Sequence, residues 1–166
     1  VAGRLGGVDA LVNNAGVISH VPFDQLSLDE WNRIINTNLT GVFLVTQKLL
    51  PLMGSGGSII NIGSRGAVAG IPMRGHYTAS KAGLLGLTRH LARELASEGI
   101  TVNVVCPGST ETEFMLNLPA EIREEAVKSI PMGHYGTPKD IADVVLFVAS
   151  ERSRYMAVAP LEVNGG

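Results

Sequence analysis

A chain of 166 residues with 45% hydrophobic content is long enough to bury one domain-sized core. A net charge of -2 provides no basic surface of the kind that nucleic acids and anionic membranes require, and no apolar run approaches the ~20 residues that cross a bilayer. The single cysteine, Cys106, excludes an internal disulfide framework and points to a reducing, cytoplasmic setting, with the thiol buried in an apolar run.

The opening Val1-Ala2-Gly3-Arg4 lacks the charged and apolar segments of a signal peptide, and it lacks an initiator methionine. The chain is therefore expected to start inside a longer protein. Residues 9–14, centred on Ala10, Leu11 and Val12, read as a short buried strand. Ser27-Leu28-Asp29-Glu30 has the S-x-x-E form of a capping box. Behind it Trp31, Ile34, Ile35, Leu39, Val42 and Leu49 recur at helical spacing, which predicts a helix to about Met53, stopped by Gly54-Ser55-Gly56-Gly57. Residues 58–63, carrying Ile59, Ile60 and Ile62, form a second buried strand. A loop follows, then a helix over 76–98 ended by Gly99 as C-cap. The valine-rich stretch 100–106 is a third strand, broken by Pro107-Gly108.

Pro119 opens a short helix through Glu121 and Glu125. Thr137 as N-cap and Pro138 in the first turn start a helix that runs to about Ser150. Residues 161–163 form a last short strand before Asn164-Gly165-Gly166. Near-continuous apolar strands alternating with helices imply an α/β fold, a parallel sheet covered on both faces. No linker, repeat or low-complexity tract divides the chain, so 1–166 reads as one domain.

Ligands of open parallel sheets bind beyond the carboxyl ends of the strands. Three such ends carry small or polar residues: Asn13-Asn14-Ala15-Gly16, Gly63-Ser64 and Pro107-Gly108-Ser109-Thr110. Tyr77 and Lys81 stand four apart on one helix and share a face. A free tyrosine titrates near a pKa of about 10, and a fixed ammonium beside it favours tyrosinate, bringing the phenol toward useful acid-base chemistry. Ser64, 13 positions before Tyr77, is placed to meet the same substrate oxygen.

These residues resemble the short-chain dehydrogenases/reductases along the whole chain. Asn13-Asn14-Ala15-Gly16 is similar to the family's N-N-A-G motif, Asn38 in Asn38-Leu39-Thr40-Gly41 to its catalytic asparagine, and Ser64 to its catalytic serine. Tyr77-Thr78-Ala79-Ser80-Lys81 matches Y-x-x-x-K, residues 103–108 match the segment ending in P-G, and Thr112 matches the threonine after it. The resemblance implies a Rossmann-like, doubly wound sheet and hydride exchange between NAD or NADP and a carbonyl or secondary alcohol. The nearest likeness is to the β-ketoacyl-acyl-carrier-protein reductases, whose substrate is a 3-oxoacyl thioester. It implies Tyr77 as proton donor and acceptor, and Lys81 as ligand of the nicotinamide ribose and tuner of Tyr77. Ser64 would hold the substrate oxygen, and Asn38 a relay water. Asn14, Ala15 and Gly16 would line the adenosine side of the cofactor, and Pro107, Gly108, Thr110 and Thr112 would approach the nicotinamide and phosphates.

The family's glycine-rich phosphate loop and first strands are not in these 166 residues, nor is the residue that chooses NAD over NADP. The 166 residues alone are expected to be inactive. Ala157-Val158 stands where the family often has Thr-Gly, and Asn164 where aspartate is common. Relatives form dimers and tetramers, and the apolar spread of the two long helices, with Leu84, Leu85 and Leu87 pointing in different directions, suggests the same here. The rival readings are a non-catalytic binding protein of this fold, which would be expected to lose Ser64, Tyr77 or Lys81, and a metal enzyme. His20, His76, His90 and His134 have no ligand spacing, so no metal is expected.

Overall fold

The computed structural model describes residues 6–158 and 160–166; the opening tetrapeptide Val1-Ala2-Gly3-Arg4 lies outside the described residues. Four parallel strands form one sheet: β1 (Ala10–Asn13), β2 (Ser58–Ile62), β3 (Thr101–Pro107) and β4 (Pro160–Val163), adjacent in chain order. Leu11 is in register with Ile59, Ile59 with Val102, and Val105 with Leu161.

The period-two alternation sends the strand residues to two cores. Leu11, Ile59 and Val102 meet Ala92 and Leu95 on one face. Ile60 and Val105 meet Val148, with Ile141, Val144 and Val145 around them, on the other. The first face is covered by helices α2 (Gly41–Leu49) and α4 (Gly75–Glu94), the second by α7 (Pro138–Val148). The first two crossovers lie on one face and the third on the other while the strands advance in the same direction. The last crossover therefore has the opposite hand, against the strong general preference for one hand. Pro138, Ile141 and Val145 of α7 lie at the same end of the sheet as the loops after β1 and β2.

The long first helix is interrupted. It runs as α1 (Leu28–Ile35), a π-helical turn (Asn36–Thr40) and α2, before a 3-10 turn (Leu50–Leu52). The extra residue of the π turn keeps the apolar stripe continuous while turning fully buried Asn38 inward. The capping box is half formed. Ser27 accepts from the Glu30 N–H at 3.2 Å, but the Glu30 carboxylate goes to Arg33 and Ser19 instead of returning to Ser27. At Thr137 and Asp140 the reciprocal box is complete.

Two short helices arise where loops were expected, α3 (Gly66–Ala69) and α5 (Glu113–Leu116), the latter capped by the Thr112 hydroxyl. Helix α6 (Ala120–Lys128) follows Pro119. The helix expected over 76–98 ends as α4 plus a 3-10 turn, with Gly99 at φ +75° closing it. Leu84 and Leu85 are buried within the chain; Phe43, Leu44 and Val45 on α2 are among the exposed apolar side chains.

Candidate active site

The strand ends open into one cleft of about 1350 Å³. Of the residues singled out by sequence, Asn14, Gly16, Ser64, Tyr77, Lys81, Pro107, Gly108, Thr110 and Thr112 line it. Ala15 and Asn38 do not.

Lys81 sits on α4 with a side chain only 5% exposed, held by donation from Nζ to the Ile62 carbonyl at 2.6 Å. Its Nζ is 5.9 Å from the centroid of the Tyr77 ring, one helical turn earlier. Burial lowers the Lys81 pKa from 10.5 to about 8, so the ammonium persists at neutral pH but is held at a desolvation cost. Gly16 lies beside it: a Cβ there would sit in ordinary contact, 3.7 Å from Nζ and 3.4 Å from Asn38 Oδ1.

Ser64 ends the strand-to-helix turn. Its oxygen accepts from the Gly66 N–H at 3.0 Å, a bond that uses a lone pair and leaves the hydroxyl proton available to a substrate oxygen. Gly108 is required by a close approach, since a Cβ would fall 2.7 Å from Asn164 Cα.

Asn38 lies behind the cleft wall, bonded to Val17 and Ser80. Its Oδ1 accepts from Val17 N–H at 2.8 Å, and its Nδ2 donates to Val17 O at 2.9 Å and Ser80 Oγ at 3.2 Å. Both amide donors are committed, leaving one Oδ1 lone pair for water. Asn13 is likewise turned inward, donating to Asn61 Oδ1 and Thr46 Oγ1 at 2.8 and 3.1 Å, while Asn61 donates to Thr88. This buried network ties β1 to β2, α2 and α4 beneath the cleft.

The sequence reading missed Arg65 and Arg74, which also line the cleft. The available signal was position: one follows Ser64 directly and the other precedes Tyr77 by three residues. Among the described residues, no aspartate or glutamate lines the cleft. The sequence also gave no sign of the apolar wall formed by Ile71, Ile141 and Val145.

A nicotinamide dinucleotide fits this set. The cleft lies at the carboxyl ends of β1 to β3, is floored by glycines and carries cations without carboxylates, as a ligand with two phosphates needs. Lys81, Asn14, Gly16, Gly108 and Thr110 are the lining residues that would hold it. Among the described residues, no group of three His, Cys, Asp or Glu is arranged to hold a metal ion. None of the helices among them is long and apolar enough to cross a membrane.

The family model described as Enoyl-(Acyl carrier protein) reductase matches residues 1–166. A 3-oxoacyl-[acyl-carrier-protein] reductase of Thermotoga maritima is 41% identical over 168 residues, spanning all of this chain and 68% of that protein. An acetoacetyl-CoA reductase of Shinella zoogloeoides is 41% identical and covered to 70%. Among solved structures, a mutant short-chain dehydrogenase/reductase of Serratia marcescens superposes with a TM-score of 0.93 at 35% identity, covering 99% of this chain and 67% of that one. An angucycline C-6 ketoreductase with bound NADP gives the same TM-score at 34% identity, covering 99% of this chain and 65% of that one.

Proposed function

The chain belongs to the short-chain dehydrogenase/reductase family of nicotinamide-dependent oxidoreductases, and from that premise we propose that its cleft reduces a ketone, or oxidises the matching secondary alcohol, with Tyr77 as the proton-transfer group. The observation that carries the reading is the placement of Lys81: a buried cation beside the Tyr77 ring, in a cleft without carboxylates.

When bound, the nicotinamide supplies the hydride that reduces the carbonyl carbon, or takes it back in the reverse direction. The Ser64 hydroxyl donates a hydrogen bond to the substrate oxygen and fixes it near Tyr77. Tyr77 Oη gives its proton to that oxygen as negative charge develops, and the Lys81 ammonium stabilises the phenolate left behind. Solvent returns the proton to Tyr77. Asn38 keeps the Val17 backbone in place at the cleft wall, with its remaining Oδ1 lone pair open to a relay water. Asn14, Ala15 and Gly16 take the adenosine side, and Pro107, Gly108, Thr110 and Thr112 the nicotinamide and phosphate side.

The reading extends to a 3-oxoacyl thioester substrate, supported by the 41% identity to reductases of that name. It extends also to a cytoplasmic homo-oligomer that covers Phe43, Leu44 and Val45 of α2. Residues 1–166 form a single partial Rossmann-type domain and by themselves turn over poorly, because a glycine-rich turn to grip the pyrophosphate is not among them. The test is oxidation of NADH and of NADPH by the full-length protein against a panel of ketones and 3-oxoacyl thioesters. No turnover with either cofactor would overturn the assignment.

A further inference from the structure

The cleft wall beside Tyr77 carries a guanidinium that the proton-transfer machinery does not use. Arg74 immediately precedes α4, is partly buried and faces the cleft. Burial lowers its pKa. A desolvated guanidinium is normally matched by a carboxylate. Arg74 has instead a neutral partner: its Nε donates to His20 Nε2 at 2.7 Å, and its terminal nitrogen lies against the same ring atom. His20 is itself held toward the neutral form by burial and by Arg74. The pair therefore keeps a net positive charge.

The backbone turns sharply just before this group. Met73, directly before Arg74, has φ +62°, a left-handed conformation that a side-chain-bearing residue adopts only at a cost. The strained turn is pinned from both sides. Val21 N–H donates to Met73 O at 2.8 Å, and Arg74 N–H to Ile71 O at 3.2 Å. Arg65, exposed and next to Ser64, lines the same cleft. Two arginines thus flank the two groups that hold the substrate oxygen, and among the described residues no acid lines the cleft to neutralise either.

We propose that Arg74, seconded by Arg65, binds an anionic oxygen group carried by the substrate, a carboxylate or a phosphate, so that the preferred substrate is a negatively charged ketone or alcohol. The inference rests on the reductase reading and narrows its substrate class. His20 sets the rotamer of Arg74, and the remaining guanidinium N–H groups grip two oxygens of the anion side by side.

The experiment uses the full-length protein with NADPH or NADH and two matched substrate pairs: acetoacetate against methyl acetoacetate, and dihydroxyacetone phosphate against dihydroxyacetone. The expected result is a kcat/KM for the charged member of at least one pair about tenfold or more above its neutral partner, arising mainly in KM. Arg74→Gln brings that ratio down toward one and Arg74→Lys restores part of it. The pair that shows the preference identifies carboxylate or phosphate. Binding of the same four compounds to the cofactor-loaded protein by saturation-transfer NMR provides a readout without turnover. Turnover with no charge preference in either pair overturns this inference and leaves the reductase reading intact. Charge-selective binding lost in Arg74→Gln, without turnover of any ketone, supports the anion site and overturns the reductase reading. An Arg74→Gln variant that weakens NADPH binding while keeping the substrate preference assigns Arg74 to the cofactor and overturns the inference.

Discussion

Asn38 holds Val17 by both of its backbone polar groups, accepting from the N–H at 2.8 Å and donating to the C=O at 2.9 Å. The two residues are 21 positions apart, so this amide clamp fastens the segment after β1 to the π turn and fixes one wall of the cleft. Asn38→Ala strands both Val17 groups and removes a bond to Ser80. An unsatisfied buried group costs about 1–3 kcal/mol, and the Val17 groups are part-buried at the cleft, so a loss of roughly 1–3 kcal/mol in all is expected by urea unfolding. Asn38→Asp is expected to do little better, since a carboxylate meets the Val17 carbonyl with repulsion instead of donation. A stability within about 0.5 kcal/mol of the parent for either variant would show that the clamp is dispensable.

Tyr77→Phe removes the only hydroxyl proposed to exchange a proton with substrate and leaves the ring that packs beside Lys81. Activity is expected to fall by about 10²–10⁴-fold, the usual contribution of general acid-base catalysis, with cofactor affinity preserved. Steady-state kinetics and a fluorescence titration of NADPH measure the two effects separately. A Phe variant within about tenfold of the parent rules Tyr77 out as the proton carrier.

Lys81 is expected to oppose stability while serving function. Burial lowers its pKa in the folded state from 10.5 to about 8. Below pH 8 the ammonium is charged in both folded and unfolded chains, and the full desolvation cost is present. Between pH 8 and 10.5 the folded chain releases its proton first, so stability rises with pH across that window. Lys81→Met is expected to raise stability at pH 7 by roughly 1–3 kcal/mol. It should also flatten that rise and abolish turnover. Unfolding curves at pH 7, 8, 9 and 10 on both proteins test the sign; a variant less stable than the parent at pH 7 refutes it.

How much of this was legible in the sequence depended on whether a feature has a local period. β2 and β3 are short apolar runs, and Thr137 as N-cap with Pro138 in the first turn marks the start of α7, so each was read within a residue or two. The Ser64, Tyr77 and Lys81 positions were readable because motif spacing reflects a strand end and one helical turn. The π turn was not, because its inserted residue leaves the apolar recurrence through Ile34 and Val42 intact. Glu30 kept the capping-box spacing but was drawn away by Arg33 and Ser19, partners that only the fold supplies. Arg74 escaped notice for a similar reason: its exposure to the cleft depends on the turn at Met73 and on His20, 54 positions away.

His76 is expected to be a positioning residue for its neighbour Tyr77. Its ring is fully buried at the first turn of α4, with Nε2 2.8 Å from Ser19 Oγ and 3.8 Å from Glu30 Oε1. The Ser19 hydroxyl has one proton and gives it to Glu30, so its oxygen must accept from His76 Nε2–H. That places a proton on Nε2, while Nδ1 is buried without a hydrogen-bond partner. The chain Glu30, Ser19, His76 thus ties the start of α4 to α1 and to the loop after β1. Cutting it frees the turn that carries Tyr77 without touching the residues that line the cleft. His76→Ala is expected to lower kcat about tenfold or more while KM changes little, because misplacement of a reacting group acts on the chemical step more than on substrate binding. His76→Gln retains an N–H near the Nε2 position and is expected to recover most of that loss. If Ala and Gln variants lose the same activity, or if the loss falls on KM alone, the imidazole is packing and nothing more, and the orientation of Tyr77 must come from α4 itself.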